Sequence, residues 1–311
     1  MLGAFSKAFF HTLSQSGTLK RLASRYGMSG SGGFARRFIA GETLHEAIDA
    51  ARVVEARGLA QTLDYLGESV STLDKAGAAT REYLTMIDAI VAAGIGRNIS
   101  LKLTQLGLDV DEAQCLAHLR TIVSAAAPRE CFVRIDMENS PYVDRTLTIF
   151  ETLWREGLRN VGVVIQAALR RSEQDLERVM ALGTRVRLVK GAYKEPGDLA
   201  WQRKADVDEA FVRLTGRLLA SGTFPALATH DPSMIAAAKR LATEHRRTTD
   251  SFEFQMLYGI RRDLQAALKS DGYGMRVYIP FGREWFPYFM RRLGERPANV
   301  GFVLRGIINE R

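Results

Sequence analysis

The chain has 311 residues, of which 46% are hydrophobic and 25% charged, and its formal net charge is +8. That length accommodates one barrel-sized domain or two smaller ones, and the composition is that of a soluble globular protein rather than a disordered one. The basic residues are scattered, with no long run and no recognisable RNA or DNA motif, so nucleic acid is not expected as a partner.

Residues 1–40 read as a basic, amphipathic helical arm that packs on the body or touches a membrane. No small-residue cleavage site follows the apolar start, and no apolar stretch reaches the ~20 residues of a spanning helix. The glycine cluster Gly30-Ser31-Gly32-Gly33 reads as a linker, because no strand precedes it and it lacks the Gly-x-Gly-x-x-Gly spacing. Thr43-Leu44-His45-Glu46 then has the form of a capping box, and Leu44, Ala47, Ile48, Ala51 and Val54 make one helical face that ends near Gly58.

From there short apolar runs alternate with segments of helical period. The expected strands are Ala60–Leu66, Asn98–Leu103, Cys131–Asp136, Val161–Ala167, Arg185–Lys190, Pro225–His230, Ser251–Met256 and Met275–Pro280. Between them, Ser140-Pro141 opens a helix that Gly157 ends, Ser172 opens one that Gly183 stops, and Asp198 opens a long one running to Gly222. Eight strands alternating with helices over residues 41–311 predict a distorted (β/α)8 barrel. A doubly wound open sheet is the alternative, but it calls for a glycine-rich turn after its first strand, where this chain has Leu66-Gly67-Glu68-Ser69. Cys115 and Cys131 have no metal-site spacing, which suits a reducing cytoplasm and predicts no metal.

A barrel does its chemistry at the C-terminal ends of its strands. Those ends carry Glu68, Lys102, Asp136, Gln166, Lys190, His230 and Tyr278. Arg185, Arg187 and Val189 share one face of their strand, Val186, Leu188 and Lys190 the other, and Gly191 permits a sharp turn or a close ligand approach. Arg187 and Lys190 are either salt-bridged strand-end cations or cations aimed into an anion-rich cofactor site. Lys102 interrupts an apolar strand and calls for a counter-ion, which Asp136 on the next strand can supply as a structural or a functional pair. His230 lacks partners at metal spacing and reads as a hydrogen-bonding or structural histidine. Arg291-Arg292, on an aromatic helix with Trp285, Phe286 and Tyr288, is either a solvated face or a clamp for a carboxylate or phosphate. A barrel lyase with a Schiff base at Lys102 or Lys190 is a rival enzyme class, and a basic membrane-surface binder a rival outside enzymes.

Taken in order, Leu66-Gly67-Glu68, Ser100-Leu101-Lys102-Leu103, Arg134-Ile135-Asp136-Met137-Glu138, Val164-Ile165-Gln166-Ala167, Arg187-Leu188-Val189-Lys190-Gly191-Ala192-Tyr193, Ala228-Thr229-His230-Asp231, Phe252-Glu253-Phe254-Gln255-Met256-Leu257-Tyr258-Gly259 and Tyr288…Arg291-Arg292-Leu293 form a series. From about Gly41 to Arg305 that series resembles the proline dehydrogenase family in its bacterial monofunctional form.

The resemblance implies a (β/α)8 barrel that binds FAD non-covalently at its strand ends and oxidises L-proline to 1-pyrroline-5-carboxylate. A membrane quinone would take the electrons, the protein being cytoplasmic and peripheral on the inner face of the cell membrane. Lys102, Arg291 and Arg292 would hold the substrate carboxylate, with Asp136 supporting Lys102. Leu257, Tyr278 and Tyr288 would wall the proline ring, and Glu68 would pair with an arginine of the last helix, lying over the barrel mouth, as a gate. Arg187 would stand beside flavin N5, with Met137, Gln166, Lys190, Gly191, Ala192, Thr229 and His230 also contacting the cofactor. Set against that resemblance, the loop from Phe281 to Pro287 would be shorter than in the long bifunctional members of the family. The chain also lacks room for an aldehyde-oxidising domain, so the product would pass to a separate pyrroline-5-carboxylate dehydrogenase.

Overall fold

A computed structural model describes residues 34–295. The apolar start and the Gly30-Ser31-Gly32-Gly33 cluster lie outside the described residues. Strands and helices alternate in the order α1 (Leu44–Glu55), β1 (Ala60–Tyr65), α2 (Leu73–Ala93), β2 (Asn98–Leu101), α3 (Glu112–Ala126), β3 (Phe132–Ile135), α4 (Val143–Arg155), β4 (Val161–Gln166) and α5 (Ser172–Met180). The second half continues with β5 (Arg185–Val189), α6 (Lys204–Ser221), β6 (Thr223–Ala228), α7 (Pro232–Glu244), β7 (Glu253–Leu257), α8 (Arg262–Ser270), β8 (Gly274–Phe281) and α9 (Trp285–Glu295). The strands close into a barrel in sequence order, all parallel, with β8 returning to β1, so the open-sheet alternative is excluded.

Local signals explain most boundaries. The Thr43 side chain accepts from the Glu46 N–H while Glu46 accepts from the Thr43 N–H, the reciprocal pair of a capping box that opens α1. Ala47, Ile48, Ala51 and Val54 form its buried stripe. The expected start of the helix after β5 is displaced. Asp198 lies in a loop and α6 begins only at Lys204. The backbone of that loop is satisfied elsewhere: Trp201 N donates to Ala168 O at 2.8 Å, and Leu199 O accepts from Arg170 N at 2.9 Å. With those groups strapped to the β4–α5 loop, no helical ladder can form there.

The parallel register divides the residues of each strand between two surfaces. Outward-facing Leu63, Ile99, Val133, Val163, Leu188 and Phe254 pack beneath the helices and form the main apolar core. The interior is of a different kind. In register and almost fully buried, it holds Thr62, Asp64, Ser100, Arg134, Arg187, Glu253 and Gln255. A second apolar cluster fastens α9 over the mouth, where Trp285, Phe286, Tyr288, Phe289 and Met290 pack with Ala35, Phe38, Ile39 and Leu66. Trp285 Nε1 donates to Glu42 at 2.9 Å and fixes the start of the helix. Among the described residues, no helix is long and apolar enough to cross a membrane.

Gly162 on β4 makes the floor of the interior possible. A Cβ there would stand 2.4 Å from the Arg185 carbonyl and 2.9 Å from the Arg134 guanidinium. That guanidinium donates to Val163 O at 3.0 Å and to Arg185 O at 2.5 Å. Gly162→Ala is expected to destabilise the barrel by about 1–3 kcal/mol through overpacking, read as a lower denaturant midpoint. An unchanged midpoint would mean that the floor can move aside.

Candidate active site

A cavity of about 410 Å³ opens at the C-terminal ends of the strands under α9, a size in the range of small-molecule sites. Every residue singled out from the sequence lines it except Glu68. Lys102 directly follows β2, Asp136 and Met137 follow β3, and Gln166 ends β4. Arg187 sits within β5, with Lys190, Gly191 and Ala192 just beyond it, and Thr229 and His230 follow β6. Leu257 ends β7, Tyr278 lies within β8, and Tyr288, Arg291 and Arg292 come down from α9.

Arg187 is the most firmly held of these. Its Nε donates to Gln255 Oε1 at 2.6 Å, Nη1 to Asp136 Oδ1 at 2.6 Å and Nη2 to Ser100 Oγ at 3.1 Å. Its guanidinium also lies 5.3 Å from the centre of the Tyr278 ring. Gln255 is oriented in turn, because its amide nitrogen donates to Glu253 at 2.6 Å and so turns the oxygen toward Arg187. Asp136 accepts a second bond, from the Tyr278 hydroxyl, at 2.6 Å. Burial, reinforced by Asp136, pushes the Tyr278 phenol well above its ordinary range.

Asp136 is thus engaged by Arg187 and Tyr278, and it acts on the Lys102 charge without forming an ion pair with it. The carboxylate paired with Lys102 is Asp64 on β1, whose Oδ2 stands 4.0 Å from Nζ. Burial acts to lower the Lys102 pKa, but Asp64, then Asp136 and Glu68, overcome it and raise it above the ordinary value. A Schiff-base lysine needs the reverse shift. The other candidate for that chemistry, Lys190, donates to Asp208 at 2.5 Å and Asp231 at 2.8 Å. Its ammonium, on the opposite strand face from Arg187, is neutralised by these two carboxylates.

Around the rest of the rim, Gln166 Nε2 donates to the Glu138 carbonyl at 2.8 Å. Gly191 has φ +109, a conformation that side chains rarely adopt. His230 Nε2 accepts from the Leu257 N–H at 2.9 Å, so it acts here as an acceptor. Arg291 Nη1 donates to Glu68 Oε1 at 2.7 Å, joining α9 to the β1–α2 loop. The Arg292 guanidinium lies 5.2 Å from the centre of the Tyr288 ring.

Tyr193, Asp231 and Gln255 also line the cavity, and none was singled out from the sequence as a site residue. Asp231 carries the signature of a helix cap, which it also is, since it accepts from Ser233 N at 3.1 Å. Gln255 and Asp64 had a usable signal. Polar residues two apart recur in Thr62/Asp64, Ser100/Lys102, Arg134/Asp136, Arg185/Arg187, Glu253/Gln255 and Arg276/Tyr278. That is the period of one strand face.

Comparison with known proteins agrees on one family. A proline dehydrogenase family model matches residues 47–305. Proline dehydrogenase 1 of Bacillus subtilis (strain 168) is 43% identical over 301 residues, 97% of this chain and 98% of that protein. The proline dehydrogenase of Deinococcus radiodurans is 42% identical over 278 residues, 88% of this chain and 90% of that one. Among solved structures, proline utilization A from Bdellovibrio bacteriovorus, inactivated by N-propargylglycine, matches with a TM-score of 0.78 at 27% identity. That match covers 84% of this chain but only 32% of the longer protein.

Glu138 sits behind the site, accepting from Thr104 Oγ1 at 2.7 Å. Burial raises its carboxyl from 4.5 to about 7, against the pull of Thr104 and Lys102. A carboxyl raised on folding favours the folded state at low pH, and that contribution is lost as pH rises from 4.5 through 7. Glu138→Gln should remove the dependence. The stability difference between variant and wild type is expected to shift by about 3 kcal/mol toward the variant between about pH 5 and 8, measured by denaturant titration.

Proposed function

The chain belongs to the proline dehydrogenase family and oxidises proline, the first step of proline catabolism, and from that premise we propose that FAD bound non-covalently in the mouth cavity takes the hydride. The product is 1-pyrroline-5-carboxylate, and a membrane quinone, reached by peripheral contact at the inner face of the cell membrane, takes the electrons. The observation that carries this proposal is the convergence of Lys102, Arg187, Arg291 and Arg292, from β2, β5 and α9, on one cavity.

The residues present suit a flavin. Val164, Val189, Ala228 and Met256 give the cavity apolar wall. Arg187 engages Gln255, Asp136 and Ser100 and still has guanidinium N–H donors to offer a ligand. Gly191 brings bare backbone to the rim beside Gln166, where an added Cβ would lie 3.5 Å from Gln166 Oε1. Met137, Gln166, Lys190, Gly191, Ala192, Thr229 and His230 are assigned to the cofactor along with Arg187. When bound, FAD supplies a ring that accepts a hydride equivalent at N5 and releases its electrons one or two at a time.

The rest of the work falls to the chain. Lys102, Arg291 and Arg292 bind the substrate carboxylate through charge-assisted hydrogen bonds, which fixes the ring and aims one C–H. Leu257, Tyr278 and Tyr288 wall the ring and exclude water. The same positive cluster disfavours a protonated substrate amine, whose lone pair is needed to stabilise the developing iminium. Arg187 places a positive charge where negative charge accumulates, and its clamp means that little reorganisation is needed. The Glu68–Arg291 pair gates entry, and the pyrroline product leaves for a separate aldehyde-oxidising dehydrogenase.

The purified protein is expected to show flavin absorbance that bleaches on anaerobic addition of L-proline; a colourless protein, or bands that persist, would overturn the cofactor assignment. Arg291→Ala and Arg292→Ala should each raise the proline KM by about tenfold or more, the size of a lost charge-assisted bond, while flavin stays bound. Wild-type KM in both variants would remove the clamp. Arg187→Ala should lower the flavin reduction potential, and an unchanged potential would release Arg187 from its role.

A further inference from the structure

Asp64 is unusual among the carboxylates of the barrel interior. Asp136 accepts from Arg187 and Tyr278, and Glu253 accepts from Gln255 and Arg276. Asp64 is 1% exposed, and neither of its oxygens has a partner at full hydrogen-bond geometry among the described residues; the Tyr278 hydroxyl, which donates to Asp136, is near enough to favour its charged form. A carboxylate so desolvated is expensive to keep charged, and burial raises its pKa from 3.8 even beside Lys102. Its one close charge is Lys102, with Nζ 4.0 Å away. That lysine is 8% exposed.

The separation matters chemically. At hydrogen-bond distance Asp64 would take up an ammonium N–H and compete with any incoming anion. At 4.0 Å it supplies attraction in a dry surrounding while leaving the donors of Lys102 unused. We propose that Asp64 is the positioning residue of the substrate site, a counter-ion set back from Lys102 that keeps the ammonium charged and its N–H donors available to the substrate carboxylate. This rests on the assignment of Lys102 to that carboxylate.

Other charged or titratable groups face the pair. Asp136, Glu68 and Tyr193 act on Lys102, Asp136, Tyr278 and Arg187 act on Asp64, and Tyr83 of α2 lies close behind. Burial holds the three phenols up, Tyr193 at about 12 and Tyr278 and Tyr83 well above their ordinary range. A window from about pH 8 to pH 10 therefore lies above Glu138 and below these phenols. Within it, removing Asp64 leaves burial to lower the Lys102 pKa with less opposition.

The test measures, by calorimetry on the holoenzyme, binding of tetrahydrofuran-2-carboxylate, a proline isostere with no titrating amine. Wild-type affinity should stay level across the window. In Asp64→Asn it should weaken by about tenfold or more as pH rises, because Lys102, brought down by several pKa units, loses its charge within the window, and Asp64→Glu should restore the level profile. If Lys102→Ala binds as tightly as wild type, the carboxylate assignment itself fails. If Lys102→Ala weakens binding but Asp64→Asn tracks wild type at every pH, only the role given to Asp64 fails.

Should Asp64→Asn not fold, Lys102→Met supplies a second measurement. Burial already raises the Asp64 carboxyl above 3.8 against the pull of Lys102, and loss of that cation raises it further, with Tyr278 and Arg187 still opposing. Stability is then present at low pH and lost as pH rises through the raised value. Made in a Glu138→Gln background, which removes the other buried carboxyl that Lys102 pulls down, Lys102→Met should therefore lose unfolding midpoint more steeply than its parent between about pH 4 and pH 8, and parallel curves would overturn the proposal.

Discussion

Dehydrating positive charge inside a closed sheet is the constraint on which the rest of this structure turns. An ordinary barrel interior is filled with layers of branched apolar side chains. Here Lys102, Arg134, Arg187 and Arg276 are all directed inward, and Asp64, Asp136 and Glu253 are the carboxylates that face them. Each charge is placed by register rather than by local sequence. Arg134 is met by main-chain carbonyls and the Phe132 ring instead of an anion, and burial lowers its pKa well below the ordinary value. The mouth of the barrel presents Lys102, Arg187, Arg291 and Arg292 together, charge that an anionic ligand can complete. Folding and substrate recognition draw on the same charges.

The apolar free energy is obtained elsewhere. The outward faces of the strands bury Leu63, Ile99, Val133, Val163, Leu188 and Phe254 against the helices, and that layer stabilises a centre that hydrophobic burial does not. Polar groups in the centre are then held by one another: Glu253 turns Gln255, Gln255 and Asp136 hold Arg187, and Tyr278 braces Asp136. A network of this kind tolerates little disorder, because each member left without its partner bears the full penalty of burial.

Much of this was legible in the sequence, and the failures have definite causes. Strand and helix alternation announced the barrel, and the polar residues at successive strand ends announced the rim. Lys102 was matched with Asp136 because Asp136 follows it in the chain. A strand in a closed barrel has two neighbours, however, and the one that supplies the counter-ion to Lys102 is β1, the preceding strand. For Lys190 the sequence left open a salt-bridged strand end or a cofactor site; one step past the strand end, on the face opposite Arg187, it lines the cavity and also meets Asp208 of α6 and Asp231. Both partners are remote in sequence and visible only once α6 and β6 are in place. The strapped loop around Asp198 was missed for a related reason, since beyond its local turn at Pro196 its hydrogen bonds go to another loop.

The fastening of α9 has a consequence for biosynthesis. The helix that brings Tyr288, Arg291 and Arg292 to the mouth is seated on Ala35, Phe38 and Ile39, so the roof of the site joins the earliest and latest parts of the described chain. Sealing of the sheet does the same, through β8 against β1. A polypeptide still emerging from the ribosome can thus build most of its wall but not a working pocket. Translation must reach α9 before a ligand finds all its contacts, and partially made molecules are kept from premature chemistry by the order of their own assembly.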